Sequence, residues 1–282
     1  MGHHLTDTSL PALAAAVEQS RSEMLRNYGR SPLAELYDGP DLLRVYTGIP
    51  EPFFNGVLRA RMAPDQVPAA VAAATAYFSA RRIIWSWVVA SGAASSPLEE
   101  RLQACGLAGA HAGIAMGADL QAIPEGRPAP PGLEMVRVDS AETLAAFTQT
   151  YVTGFGMADA VRSPFAAIER SLGWDGAMPY RRYLGLLGGQ PVATTALFLG
   201  ESAAGVYHVS TVPAARRQGI GTAMVRRALS DARAAGYRVA VLHASEAGSR
   251  VYRSLGFRAC GLLREYVPAS ETTGVHQESL HL

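Results

Sequence analysis

Ser210-Thr211-Val212-Pro213-Ala214-Ala215-Arg216-Arg217-Gln218-Gly219-Ile220-Gly221-Thr222-Ala223 is the stretch on which the reading of the chain turns. Gly205 to Val212, which leads into it, is rich in β-branched and aromatic residues and predicts a strand. Beyond it Val225, Ala228, Leu229 and Ala232 recur at i, i+3, i+4 and i+7, the apolar face of a helix. A strand feeding a helix through such a turn leaves several backbone N–H groups without intrahelical partners. They point at one spot, where the helix dipole favours an anion. Glycine at 219 and 221 removes side chains that would hold a phosphate off the backbone, and Arg216 and Arg217 add positive charge. The turn suits a phosphate or pyrophosphate.

Other phosphate loops do not match. A P-loop needs a Lys after its second glycine, and none follows here; a dinucleotide fingerprint needs a third glycine where Met224 stands. What remains is Arg-x-x-Gly-x-Gly at Arg216, Gly219 and Gly221, directly after a strand ending in Val-Pro. That order resembles the coenzyme A pyrophosphate loop of the GNAT superfamily of N-acetyltransferases. Downstream, Arg238 to His243 predicts a strand, Ala247 to Leu255 a short helix closed at Gly256, and Phe257 to Val267 a further strand. This segment resembles the second CoA-binding half of the GNAT fold, including Tyr-x-x-x-Gly-Phe at Tyr252, Gly256 and Phe257.

Length and composition bound the alternatives. With 282 residues the chain predicts two domains, each about 140 residues on size grounds. Twenty-five basic against 24 acidic residues, net +1, argues against a bulk electrostatic grip on nucleic acid or membrane. Two cysteines, Cys105 and Cys260, cannot make a disulfide framework and suit a reducing compartment. The apolar run from Ile83 to Ala94 is too short to span a bilayer, and no signal segment opens the chain. The expectation is a cytoplasmic protein. The seven histidines are scattered and predict no metal site.

Along the chain, Thr6 to Asn27 predicts a helix, 53–62 a strand, Asp65 to Ala80 a helix, Ile83 to Ala90 a strand, Pro97 to Cys105 a helix and Ala112 to Leu120 a strand. Pro124, Pro128, Pro130 and Pro131 then mark a linker. Beyond it come a strand at Leu133 to Val138, a helix at Ala141 to Tyr151, and an irregular region from Val152 to Pro179. A hairpin of Arg182 to Leu187 and Val192 to Leu199 then turns at Gly188-Gly189. Gly106-Leu107 precedes Gly256-Phe257 by 150 residues, and the strand at 54–62 precedes 204–212 by the same interval, so the layout repeats. The predicted class is α/β (α+β, GNAT-like): two tandem acyl-CoA N-acyltransferase-like units, each a mixed, mostly antiparallel sheet flanked by helices. The expected division is a degenerate unit at 1–123, a linker at 124–131 and a catalytic unit at 132–282. Opposite Arg216, Gly219 and Gly221 the first unit carries Gln66, Ala69 and Val71, and opposite Tyr252 it has Leu102. It should bind no CoA, with Phe53, Phe54, Trp85 and Trp87 as packing residues.

The resemblance spans about residues 50–267, most firmly 200–260, and implies an acetyl-CoA-dependent N-acetyltransferase. A neutral primary amine of a small molecule would attack the thioester directly in a ternary complex. The strand around Ser210, Thr211 and Val212 would bind the pantetheine amides through its backbone and could offer an N–H to the oxyanion. Arg216, Arg217, Gln218, Gly219, Ile220, Gly221 and Thr222 would hold the pyrophosphate. Tyr252 would protonate the departing thiolate, and Ser245, where the family often has Asn, could touch CoA. Strand alternation puts Tyr207 and Val209 on one face and Val206, His208 and Ser210 on the other. Tyr207 is the candidate to face the acceptor, with His208 packed below. Phe155, Asp159, Glu169, Trp174 and Asp175 offer aromatics and acids for a cationic amine. Peptide or protein N-acetylation and a non-catalytic acyl-CoA-binding module are the alternatives.

Overall fold

A computed structural model describes residues 4–91, 96–124, 128–174 and 178–270; Asp175 lies outside them. The first unit contains α1 (Leu10–Tyr28), β1 (Glu35–Asp38), β2 (Leu43–Tyr46), a single 3-10 turn at Pro52–Phe54, β3 (Gly56–Leu58), α2 (Val67–Ala80), β4 (Ser86–Ser91), α3 (Pro97–Ala104) and β5 (Leu107–Asp119). The second contains β6 (Leu133–Arg137), α4 (Ala141–Phe155), α5 (Asp159–Ser171), β7 (Tyr180–Leu187), β8 (Gln190–Leu199), β9 (Ala204–Thr211), α6 (Ile220–Ala234), β10 (Val239–Ala244), α7 (Glu246–Ser254) and β11 (Arg258–Pro268). The region expected to be irregular folds as α5. Val161, Phe165 and Ile168 bury one helical face, and that burial outweighs Pro164, which costs the helix one internal hydrogen bond.

The eleven strands of the described residues lie in one sheet, in the order β1-β2-β3-β4-β11-β5-β10-β9-β8-β7-β6. The repeat read in the sequence matches β1–β5 with β7–β11, but the last strands are exchanged. β11 pairs antiparallel with β4 of the first unit, and β5 pairs antiparallel with β10 of the second. The two exchanged strands also pair with each other, from Arg258↔Gly117 to Pro268↔Leu107. Each unit therefore closes its sheet with a strand from the other.

In both units the strand before the loop runs parallel to its neighbour and soon leaves it. Only Ala204↔Ala240 and Gly205↔Val241 pair β9 with β10, and only Gly56↔Ser86 and Val57↔Trp87 pair β3 with β4. One face of the sheet is covered by α1, α4 and α5 through Leu13, Val17, Phe147, Tyr151 and Phe165. A separate cluster packs α6 and the end of α7 through Val225, Leu229, Leu255 and Phe257. Trp85 and Trp87 are buried against α2 in a third cluster, a packing role.

Candidate active site

The site begins where β9 parts from β10. β9 carries a bulge: Thr194 faces Ser210 and Ala196 faces Tyr207, so His208 and Val209 together oppose one residue of β8. His208 takes a left-handed φ of 50°, and its carbonyl accepts a hydrogen bond from Thr194 Oγ1 at 2.7 Å. The bulge breaks the strict alternation expected for this strand. Val206, Tyr207, His208 and Val209 all line one cavity, together with His243, Ser245 and Tyr252 across the gap.

At the loop, Gly219 is the N-cap of α6 with φ 79°, which glycine adopts without strain. The first helical bond runs from Ala223 N–H to the Gly219 carbonyl at 3.0 Å. The N–H groups of Ile220, Gly221 and Thr222 therefore lie outside the ladder. A side-chain carbon at Gly221 would meet only Thr211 Oγ1, at an ordinary 3.4 Å. The protein's own packing thus leaves room for more than glycine there, and the space is open to a ligand. Arg217 and Gln218 are exposed at the loop tip, where a diphosphate could reach them.

Four of the residues predicted to contact CoA have polar groups engaged inside the protein. Arg216, expected to add charge for the pyrophosphate, donates through Nη2 to the Gly154 carbonyl at 2.8 Å and through Nε to the Thr211 carbonyl at 3.1 Å. Val212 N–H, expected to meet pantetheine, donates to the Val192 carbonyl at 2.9 Å because β8 continues alongside it. The Ser210 hydroxyl is buried against α4 and lies 3.0 Å from Thr194 Oγ1. Ser245 Oγ caps α7 by accepting from Gly248 N–H at 3.0 Å, although the residue also borders the cavity.

Tyr252 is buried on α7 and borders the cavity, and burial alone holds its phenol above the ordinary pKa. It remains a proton donor through the neutral range. Tyr207 is different. Its hydroxyl lies 2.8 Å from Ser20 Oγ on α1, and burial raises its pKa, so it is poorly suited to take a proton from an amine. His208 is enclosed: Nδ1 lies 2.8 Å from Tyr180 OH and Nε2 3.2 Å from Tyr28 OH. Burial, then the Arg182 charge, lowers its pKa to about 3, and the ring is neutral. Behind it, Tyr28 donates to Glu169 Oε1 at 2.8 Å, and Arg182 Nη1 donates to Glu169 Oε2 at 2.8 Å. Glu169 is therefore a core residue and no acceptor-pocket acid. Asp159 is exposed and pairs with Arg162, and Trp174 packs at the edge of the core. Among the described residues of that group only Phe155 borders the cavity.

The acids that do border it come from elsewhere: Glu51 precedes the turn at Pro52–Phe54, and Glu265 lies on the exchanged strand β11. Arg21 of α1, Phe53 and His111 of β5 complete that wall. Phe54 is core, as expected, whereas Phe53 places its ring 4.6 Å from the Arg21 guanidinium carbon. Sequence reasoning missed this wall, since nothing local marks residues that only strand exchange brings to the site. Cys260 is half-buried, and burial raises its thiol to about 11, so it is not an activated nucleophile. Among the described residues no group of three or more His, Cys, Asp or Glu could hold a metal, and no helix is long and apolar enough to cross a membrane.

The family model described as "Acetyltransferase (GNAT) domain" matches residues 201–260, which contain β9, the loop, α6, β10 and α7. No curated protein matches the chain. Among solved structures, a GCN5-related N-acetyltransferase from Kribbella flavida superposes with a TM-score of 0.68 at 20% identity, covering 89% of this chain and 95% of that one. A GCN5-related N-acetyltransferase from Sphaerobacter thermophilus gives 0.60 at 14% identity, covering 95% and 94%. A tandem GNAT protein from the clavulanic acid biosynthesis pathway gives 0.55 at 16% identity, covering 84% and 83%. These are likenesses of fold, that of the GNAT acetyltransferases including a tandem one, and the match to an acetyltransferase (GNAT) domain covers residues 201–260.

Proposed function

We propose that the protein transfers an acetyl group from acetyl-CoA to a primary amine of a small molecule by direct attack in a ternary complex. The catalytic unit is 132–282, and the unit at 1–123 binds no CoA. One observation carries this reading: β9 parts from β10 after Gly205, residues of both strands and Tyr252 border one cavity there, and β9 leads on to the open turn at Gly219–Thr222. Acetyl-CoA supplies an activated acyl group on a thiol leaving group. The chain's residues supply the rest. The free N–H groups at the start of α6, with Arg217 and Gln218, receive the diphosphate. The backbone of β9 facing the gap orients the pantetheine, and the bulge at His208–Val209 turns main chain off the β8 ladder toward the reacting carbonyl. Tyr252 donates its proton to the departing sulfur. The aromatic walls at Tyr151, Phe155 and Phe53 exclude water from the amine. The partly open cavity, walled by aromatic rings, suits a small acceptor. The protein is expected to act in the cytoplasm, without nucleic-acid or membrane partners.

The test is acetyl-CoA-dependent thiol release against a panel of amines, amino acids, aminoglycosides and short peptides, alongside CoA-induced thermal stabilisation. Turnover with a small amine supports the reading, and turnover confined to peptides favours protein acetylation. Stabilisation without any turnover favours a binding module. The absence of both effects would overturn the assignment of the loop.

A further inference from the structure

The first unit supplies a cation to the acceptor side of the cavity, and its pairing is incomplete. Arg21 is 5% exposed on α1, yet it borders the cavity. Its guanidinium carries five N–H donors. Among the described residues it makes one hydrogen bond, a long one of 3.3 Å from Nη2 to Glu265 Oε1, and its Nε is buried without a partner. The same molecule pairs the terminal nitrogens of its other buried arginine more fully, although that Nε too is buried without a partner. Arg182 donates to Glu169 Oε2 at 2.8 Å, to the Glu169 carbonyl at 3.0 Å and to the Gly173 carbonyl. A pair built only for the core resembles the second arrangement; the first leaves donors for something else.

Arg21 is also held in place. Phe53 covers one face of the guanidinium, with ring centroid and carbon 4.6 Å apart. The preceding residue, Ser20, fastens this turn of α1 to Tyr207 of β9 at 2.8 Å, so the guanidinium is fixed relative to the strand beside the gap. A purely cationic acceptor would meet repulsion from this side chain. Glu51 and Glu265 border the same cavity and would attract an ammonium group. Both signs are therefore present in one small space.

Building on the acetyltransferase reading, we propose that the acceptor carries a carboxylate on the same small skeleton as its amine, and that Arg21 binds that carboxylate. The substrate class is thus an amino acid or a close analogue. The degenerate first unit sets this specificity, since α1 belongs to it.

The experiment measures thiol release from acetyl-CoA with matched pairs: phenylalanine with phenethylamine, leucine with isopentylamine, lysine with cadaverine. The carboxylate-bearing member is expected to have a kcat/KM higher by about tenfold or more in at least one pair, the share of a charge-assisted hydrogen bond. In Arg21→Met that ratio should fall toward one, whereas a general loss of folded protein would lower both members and leave it unchanged. Should Arg21→Met not fold, Glu265→Gln removes the competing carboxylate, and the ratio should rise. A wild-type ratio of one or below, a ratio that survives Arg21→Met, or no rise in Glu265→Gln would overturn the proposal. Silence with every pair while CoA still stabilises the protein would overturn it too. Silence without CoA stabilisation would instead overturn the acetyltransferase reading beneath it.

Discussion

Tyr28, on the first unit's helix α1, donates its hydroxyl to Glu169 of α5 in the second unit at 2.8 Å, with both residues buried. The same hydroxyl lies 3.2 Å from His208 Nε2. Tyr28→Phe would leave a buried imidazole nitrogen and one carboxylate oxygen less well paired. The expected cost is about 1–3 kcal/mol, read as a lower urea midpoint at unchanged slope. An unchanged midpoint would mean that this contact does not join the units.

Acid should loosen the same cluster. His208 is held near a pKa of about 3 by burial and the Arg182 charge, against an ordinary value of 6.5. The folded state favours the neutral ring, so this contribution is complete above pH 6.5 and declines as pH falls toward 3. The slope is about 1.4 kcal/mol per pH unit for one such group. His243, pushed well below its ordinary value by burial and then by Arg21, adds to it. Urea midpoints between pH 6.5 and 5 should fall steadily in the wild type and less steeply in His208→Gln. Equal slopes would remove His208 from the account.

The two loop arginines should separate cleanly. Arg216→Met unties the Gly154 and Thr211 carbonyls and should lower the melting temperature. Arg217→Ala, at an exposed position, should weaken acetyl-CoA binding severalfold at low salt, an effect that shrinks as salt is added. If calorimetry gave the reverse pattern, the placement of these side chains would be wrong.

Gly221→Ala and Gly221→Val test the loop itself. The nearest protein atom to an added carbon is Thr211 Oγ1 at 3.4 Å, so the alanine variant should fold normally. Acetyl-CoA affinity should drop in the alanine variant and be lost in the valine one. Retained affinity in Gly221→Val would dismiss this turn as the diphosphate site.

Tyr252→Phe should slow turnover by about 100-fold or more while leaving the acetyl-CoA KM nearly unchanged. Burial raises the Tyr252 pKa, so the wild-type rate should show no alkaline fall from this group below about pH 10. Undiminished turnover in Tyr252→Phe would remove its acid role.

The turn between β9 and α6 was legible because its physics is local. Glycines at 219 and 221 and a strand–helix junction are set by a dozen neighbouring residues. The same holds for the Gly188-Gly189 hairpin, whose glycines take φ of 57° and 77°. Arg216 shows the limit of motif reading. Its charge suggested a phosphate ligand, but α4 approaches β9 so closely that a carbon on Gly154 would fall 2.5 Å from Ser210 Oγ, and the arginine bridges that contact instead. Tyr207 borders the cavity and His208 is enclosed, as expected, but Val209 packs with Val206 and not with Tyr207 because one bulge shifts the period-two pattern, and nothing in Val206–Ser210 announces it.

The sequence by itself determined most of the elements, though not α5, and the glycine turn between β9 and α6, where the first half carries Gln66, Ala69 and Val71 instead. All of these rest on residues near one another in the chain. Only the tertiary structure decided that β5 and β11 change places, because strand partners are selected by whole-sheet packing and edge closure, not by local pattern. That exchange brings Glu265 to Arg21 across 244 positions of chain, a pairing that no stretch of sequence displays.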